Sequence, residues 1–312
     1  MELYKSRDFS AFFQDTFAFI KQYGRHFFKH FFIVNGIFVL ILMVFGYFFM
    51  SFYTDIVFSG LMQNNPNAID DFMNENSVLF LILFILFVII SIVFGVFMYA
   101  YPVFYLKLYQ KNSDINFGTS ELIQAYKVNL GRLFVYIICS ILIGIPLILV
   151  FGAVIFVMFI TIIGILAIPF AIGALSLFYF MALLEYMEGR MSIWDAFGYS
   201  WKLLSSKFLA AVASVGLFYL MSYVIQNVIT VIAYIFGMVR MFTTVGDDGS
   251  NSEAIGGMMS MVMIISFIAT FLLGTILNNL VLLNQGIIFY SLKEEAEKIN
   301  TKDIIDQIGS VE

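Results

Sequence analysis

Residues 133–184 form a stretch of 52 positions without one charged side chain. The hydrocarbon core of a bilayer is about 30 Å thick and takes about 20 helical residues to cross, so this stretch is long enough for two crossings joined by a tight turn. Four more charge-free runs, residues 30–54, 76–106, 208–239 and 254–292, each supply one crossing. Backbone N–H and C=O groups in hydrocarbon must be satisfied within the segment, which makes these runs helical and the fold class all-α with six transmembrane helices. The turn inside the longest run is expected near residues 159–163. Pro146 and Pro169 then fall inside the helices on either side of it, each with an expected kink.

Composition agrees with a polytopic membrane protein: 62% of the 312 residues are hydrophobic and 12% are charged, where a soluble domain carries about 25% charged residues. The longest polar segments run to about 25 residues, well short of the roughly 100 to 200 that a soluble domain needs. We therefore read residues 1–312 as a single integral membrane domain. A net charge of −5 argues against a nucleic-acid partner. The lone Cys139 lies in an apolar run and supports neither a disulfide framework nor a thiolate metal site. The N-terminal segment carries Glu2, Lys5, Arg7, Asp8 and Asp15 and no small-residue cleavage site, so the first span is expected to be retained.

With six spans and both ends on one side, fifteen of the 16 Lys and Arg residues fall on the face of the termini, and only Arg240 lies opposite. The positive-inside rule makes that face cytoplasmic, with the bacterial inner membrane as the expected location. The opposite loops are acidic, carrying Asp55, Asp70, Asp71 and Glu75, then Asp247, Asp248 and Glu253.

Three segments ahead of the odd-numbered spans share a pattern, an aromatic followed five residues later by a small residue and then a base. It reads Phe19, Gly24, Arg25; Tyr126, Gly131, Arg132; and Trp201, Ser206, Lys207. It divides the chain into repeat-like units 1–115, 116–190 and 191–300 with a short tail 301–312, each unit an amphipathic interfacial helix followed by a helical hairpin. Both ends of every unit lie on the same face, so the repeats are parallel and lack the inverted halves of many transporters.

The third copy is the clearest. In "SIWDAFGYSWKLLSSKF" the apolar residues Trp194, Phe197, Trp201, Leu204 and Phe208 recur at spacings of three and four, and Ser192 with Asp195 has the spacing of a helix-starting capping box. Such a helix lies in the interface, with aromatics at headgroup depth and bases reaching phosphates. Arg25, Lys29, Lys127, Arg132, Trp201, Lys202 and Lys207 are accordingly the candidates for lipid-headgroup or interface contact. The alternative reading is that these helices only lead the chain into the next span.

At "MSIWDAFGYSWKLLSSKF" the chain resembles a bacterial family of six-span proteins, the YciC-like group, which also includes the membrane domain attached to some glycerophosphodiester phosphodiesterases. The similarity rests on Asp195, Ala196, Ser200, Trp201, Lys202 and Leu203, and in span count it extends over most of the chain. It implies a fold and a location more than a reaction. The chemistry of the fused phosphodiesterases belongs to a soluble barrel with no counterpart here.

The remaining chemistry is sparse. His26 and His30 are four residues apart in the basic stretch "RHFFKHFF", without a carboxylate between them; an interfacial histidine pair fits this better than a metal site. Glu185, Glu188 and Asp195 cluster at the end of the fourth span and read as a solvated face. Asp70, Asp71 and Glu75 lack the ligand spacing of a calcium loop. No nucleophile has a histidine partner outside the interfacial segment, so no enzyme, cofactor or metal is expected. Small residues four apart, as in Ser91 with Gly95, Ser140 with Gly144, Ala210 with Ser214 and Thr270 with Gly274, suit close helix packing. In the sixth span Asn278 and Gln285 share a face flanked by Asn279 and Asn284; this face is expected to point into the bundle, toward Asn35 of the first span. The reading that emerges is a non-enzymatic scaffold or subunit of a larger membrane complex, with lipids and a membrane protein as partners. Its rival is a transporter or lipid-handling protein with a site between hairpins.

Overall fold

A computed structural model describes residues 1–62, 67–245 and 252–300; beside the gaps and at 162–163, some residues are described by their backbone alone. The described chain is helical, with α1 (Phe9–Met62), α2 (Ala68–Asn112), α3 (Thr119–Phe159), α4 (Ile162–Glu188), α5 (Ile193–Ser206), α6 (Phe208–Val245) and α7 (Ser252–Glu297). Six of these are long and apolar enough to cross a membrane, and α5, with 14 residues, is the short one. The chain is a multi-pass integral membrane protein.

The turn inside the 52-residue run falls where its sequence places it, between Phe159 and Ile162. Thr161 caps α4, its hydroxyl accepting the Gly164 N–H at 2.9 Å. A side chain at Gly164 would meet the Met158 carbonyl at 2.1 Å, so the turn requires glycine there. Pro146 and Pro169 lie inside α3 and α4. At its far end α4 stops at Gly189, whose φ of 82° is left-handed and whose N–H bonds Tyr186 O. Ser192 then caps α5, accepting from the Asp195 N–H at 3.3 Å while its hydroxyl donates to the Asp195 carboxylate at 2.6 Å.

Two of the three expected interfacial helices are not separate elements. The segments containing Phe19–Arg25 and Tyr126–Arg132 are the opening turns of α1 and α3, which continue unbroken into the apolar runs. Nothing in either segment stops a helix: Gly24 and Gly131 weaken one without ending it, and no proline intervenes. The third copy does break, at Lys207, whose backbone (φ −137°, ψ 45°) is not helical. The 54 residues of α1 extend over about 80 Å at 1.5 Å per residue, far more than a bilayer core requires.

By contacts the chain forms two compact units. Unit 1 comprises Met1–Val34, Tyr99–Met221 and Asn278–Glu312; unit 2 comprises Asn35–Met98 and Ser222–Leu277. Unit 2 is organised around Val39, Leu42 and Phe94, packed by Phe87, Phe271 and Leu272 among others. Gly46 lets the ring of Phe267 approach to a distance that any side chain there would block, and the Thr54 and Ser260 hydroxyls are 3.0 Å apart.

Unit 1 holds most of the large buried side chains. Phe19, Phe27, Phe31, Tyr101, Tyr105 and Tyr109 are closed off where α1 meets α2, with edge-to-face pairs such as Phe27 on Tyr105 at 4.8 Å, and the buried Phe104 packs edge-on against Tyr126 of α3 at 4.7 Å. At the α4–α6 crossing two glycines meet, with Gly216 N at 3.1 Å from the position a Cβ would take on Gly173. This crossing is not one of the small-residue pairs singled out from the sequence.

Candidate functional site

The candidate sites of unit 1 fall into three groups. The first lies where α4 ends. Lys293 of α7 is completely buried, and its ammonium bonds the carboxylates of Glu185 at 2.5 Å and Glu188 at 2.6 Å. Glu185 is itself 1% exposed and so is not the solvated acid expected from its neighbourhood in sequence. Its partner arrives from 108 residues further along, a pairing that local charge patterning cannot reveal. Lys107 donates to the Met187 carbonyl beside this cluster, and the Tyr4 hydroxyl lies 3.5 Å from Glu188. Burial first, and then the Glu188 charge, pushes the Tyr4 phenol well above its ordinary pKa; burial and a hydrogen bond to Glu297 do the same to Tyr199. Both therefore stay protonated donors.

The N-terminal segment folds into the same region. Arg7 is buried; it pairs with Asp15 at 2.7 Å and donates to the carbonyls of Glu2, Leu3 and Lys5. Lys207 bonds the Arg7 carbonyl at 3.1 Å and the Glu295 carboxylate. A charge at the α5–α6 junction thus ties the start of the chain to α7.

The second group is the amide face of α7. Asn279, Asn284 and Gln285 are completely buried, while Asn278 is half-buried. The Asn284 amide lies within hydrogen-bond distance of the Phe12 carbonyl, the Thr16 hydroxyl and the Ser214 hydroxyl, at 3.2, 2.9 and 3.1 Å. Gln285 donates to Ser176 at 2.8 Å, and the Tyr219 hydroxyl bonds the same Ser176 at 2.9 Å. Asn284 and its neighbours thus join α1, α6 and α7, and Gln285 joins α7 to α4 and α6. Asn35 is completely buried within unit 2.

The third group consists of cavities along the α3–α4 hairpin. One, of about 570 Å³, is lined only by apolar side chains of α3, α4 and α6 together with Trp201 and Leu204 of α5 and Phe208. The other, of about 550 Å³, has tyrosine and serine hydroxyls in its walls: Tyr99, Tyr136 and Tyr179, with Ser140 and Ser176.

The interface candidates divide. Arg25, Lys29, Lys127, Arg132 and Lys202 are exposed, and Trp201 is 60% exposed; Lys207 is instead committed to the internal bonds above. On α5 the buried stripe is Ile193, Ala196, Phe197, Ser200, Leu203 and Leu204, so the tryptophans flank the protein-facing side. The Ser200 hydroxyl donates to the Phe178 carbonyl at 2.6 Å, and Phe197 stacks on Tyr136 with centroids 5.9 Å apart. His26 uses both ring nitrogens, on the Tyr105 hydroxyl at 2.8 Å and the Phe117 carbonyl at 3.1 Å, and His30 bonds Thr119 at 2.7 Å. Of the acidic outer-loop residues, Asp247 and Asp248 lie outside the described residues, as do the side chains of Asp55, Asp71, Glu75 and Glu253; the side chain of Arg240 and the tail from residue 301 lie outside them too.

Comparison with protein-family models, with curated proteins and with solved structures finds no match to this chain.

Proposed function

We propose that this chain is a non-catalytic scaffold or subunit of a larger complex in the bacterial cytoplasmic membrane. The observation that carries this reading is the use made of its ionisable groups. Lys293 pairs with both Glu185 and Glu188, Arg7 is bound to Asp15 and to backbone carbonyls, and His26 has both nitrogens occupied. These groups are spent on internal bonds rather than presented to a substrate. An ionisable group deep in a span, the usual mark of an ion or substrate path, is a feature that would favour transport; this cluster instead sits at the ends of α4 and α7. The outward side of α3, with Phe134, Ile141, Ile145, Ile148 and Phe156 all strongly exposed, supplies apolar surface for lipid or a partner helix.

Within this reading the arrangement is three parallel repeat-like units with interfacial α5 at the cytoplasmic headgroups, both termini cytoplasmic, and kinship to the YciC-like group. Orientation has a direct test: a reporter active only in the cytoplasm is expected to be active after Glu312 and silent at Asn65, and the reverse result defeats it. The scaffold role is tested by mild-detergent purification of the tagged protein. A stoichiometric membrane protein partner is the expected result, and purification as a lone chain defeats it. The apolar 570 Å³ groove beside Trp201 favours a second reading, lipid handling, for which a co-purifying lipid without a protein partner is the signature.

A further inference from the structure

The hydroxyl-lined cavity of unit 1 has a composition that packing alone does not explain. Its rim is Ile141, Ile145, Ile148 and Ile172, exposed by 59, 57, 66 and 42%, so it opens sideways from the protein surface. Its walls carry five hydroxyls and no charge. Ligand sites are typically 300–1,000 Å³, mostly apolar, with a few convergent polar groups; this cavity, at about 550 Å³, fits that description.

The hydroxyls have spare capacity. Ser176 Oγ receives both the Tyr219 hydroxyl and the Gln285 amide, so its two lone pairs are occupied and its own proton is left for another acceptor. Among the described residues the Tyr179 hydroxyl donates only over a long 3.4 Å contact to the Ser140 carbonyl, with Gly144 leaving room beside it. An unmet donor in an apolar surround is costly, so the spare Ser176 proton and the weakly bound Tyr179 hydroxyl favour an acceptor in the cavity.

The lining selects the kind of acceptor. Ser176 stands twelve residues from each end of the Gly164–Glu188 span. No charged side chain lines the cavity to meet a charged headgroup, so an uncharged one fits it. Three tyrosine rings, Tyr99, Tyr136 and Tyr179, wall the space and suit a flat ring. We propose that this cavity is a binding site for an uncharged lipid with a planar, carbonyl-bearing head, of the quinone type, entering sideways past the isoleucine rim with its carbonyl oxygen accepting from Ser176 and Tyr179. The proposal goes beyond the scaffold reading and does not depend on a protein partner.

The test uses the full chain in phosphatidylcholine nanodiscs, titrated with a short-tailed ubiquinone and, separately, with dioleoylglycerol, which carries ester carbonyls without a planar ring. The quinone is expected to raise the melting temperature saturably, where simple partitioning into the disc gives a response that does not saturate. Ser176→Ala with Tyr179→Phe is expected to weaken the apparent affinity about tenfold. Ile141→Trp and Ile145→Trp, substitutions on the exposed rim, are each expected to abolish the shift while leaving the ligand-free melting temperature unchanged. No saturable shift, or one that survives both rim substitutions, overturns the site. A dioleoylglycerol shift equal to that of the quinone overturns the assignment to a planar head.

Discussion

Replacing Lys293 by methionine is expected to destabilise the protein by about 3 to 5 kcal/mol, the usual cost of removing one member of a buried ion pair. The ammonium is completely buried between two carboxylates, one of them 1% exposed. Without it, Glu185 and Glu188 are like charges side by side with little water to share. The loss follows from the stranded acids more than from a large net stabilisation by the pair, and this can be tested. Adding Glu185→Gln and Glu188→Gln to Lys293→Met removes the charges together, and most of the stability is expected to return. Thermal unfolding in detergent measures both. A single variant that unfolds like the parent shows that the cluster is hydrated in the working protein, and a triple variant as unstable as the single one shows that the pair itself supplies the stability.

The second large effect is expected at the α4–α6 crossing. A Cβ on Gly216 would sit 2.3 Å from the Phe170 ring and 2.9 Å from its Cα. The ring can turn away; the Cα cannot move without shifting α4. Gly216→Ala is therefore expected to cost about 1 to 3 kcal/mol, the range for overpacking a close contact. Gly198, in the middle of α5, has nothing within 4 Å of its would-be Cβ. There the same substitution should stabilise by about 0.5 to 1 kcal/mol, through helix propensity alone. Opposite signs for two glycine-to-alanine changes, read by the same unfolding assay, are the expected result. If Gly216→Ala is neutral, the two helices do not cross as closely as described.

What could be read from the sequence was whatever depends on neighbours along the chain. The number of spans follows from the charge-free runs, the α3–α4 turn from the length of the longest run, and the Ser192 cap from its three-residue spacing to Asp195. Rotation of a helix about its axis was harder to read. On α5 the aromatic stripe through Trp194 and Trp201 and the buried stripe through Ala196, Ser200 and Leu203 share Phe197 and Leu204. In water the larger apolar residues would turn inward. Beside a bilayer, lipid tails are as apolar as the core, so small and polar residues win the protein-facing side. The amide face of α7 shows a similar offset: Asn279 and Asn284 join Gln285 in the interior, and Asn278 is only half-buried. The pairing of Lys293 with Glu185, and of Asn284 with Thr16 across 268 residues, depends on tertiary structure that no single window contains.

The amide and ammonium of α7 also bear on how the protein is made. Asn284 reaches back to Phe12, Thr16 and Ser214, Gln285 to Ser176, and Lys293 to Glu185 and Glu188. All of these partners are synthesised earlier and enter the membrane ahead of α7. Until α7 inserts, Glu185 and Glu188 lack the Lys293 ammonium, and Thr16, Ser176 and Ser214 lack the amides that bond them. In this sense α7 is the bolt that draws α1, α4 and α6 together.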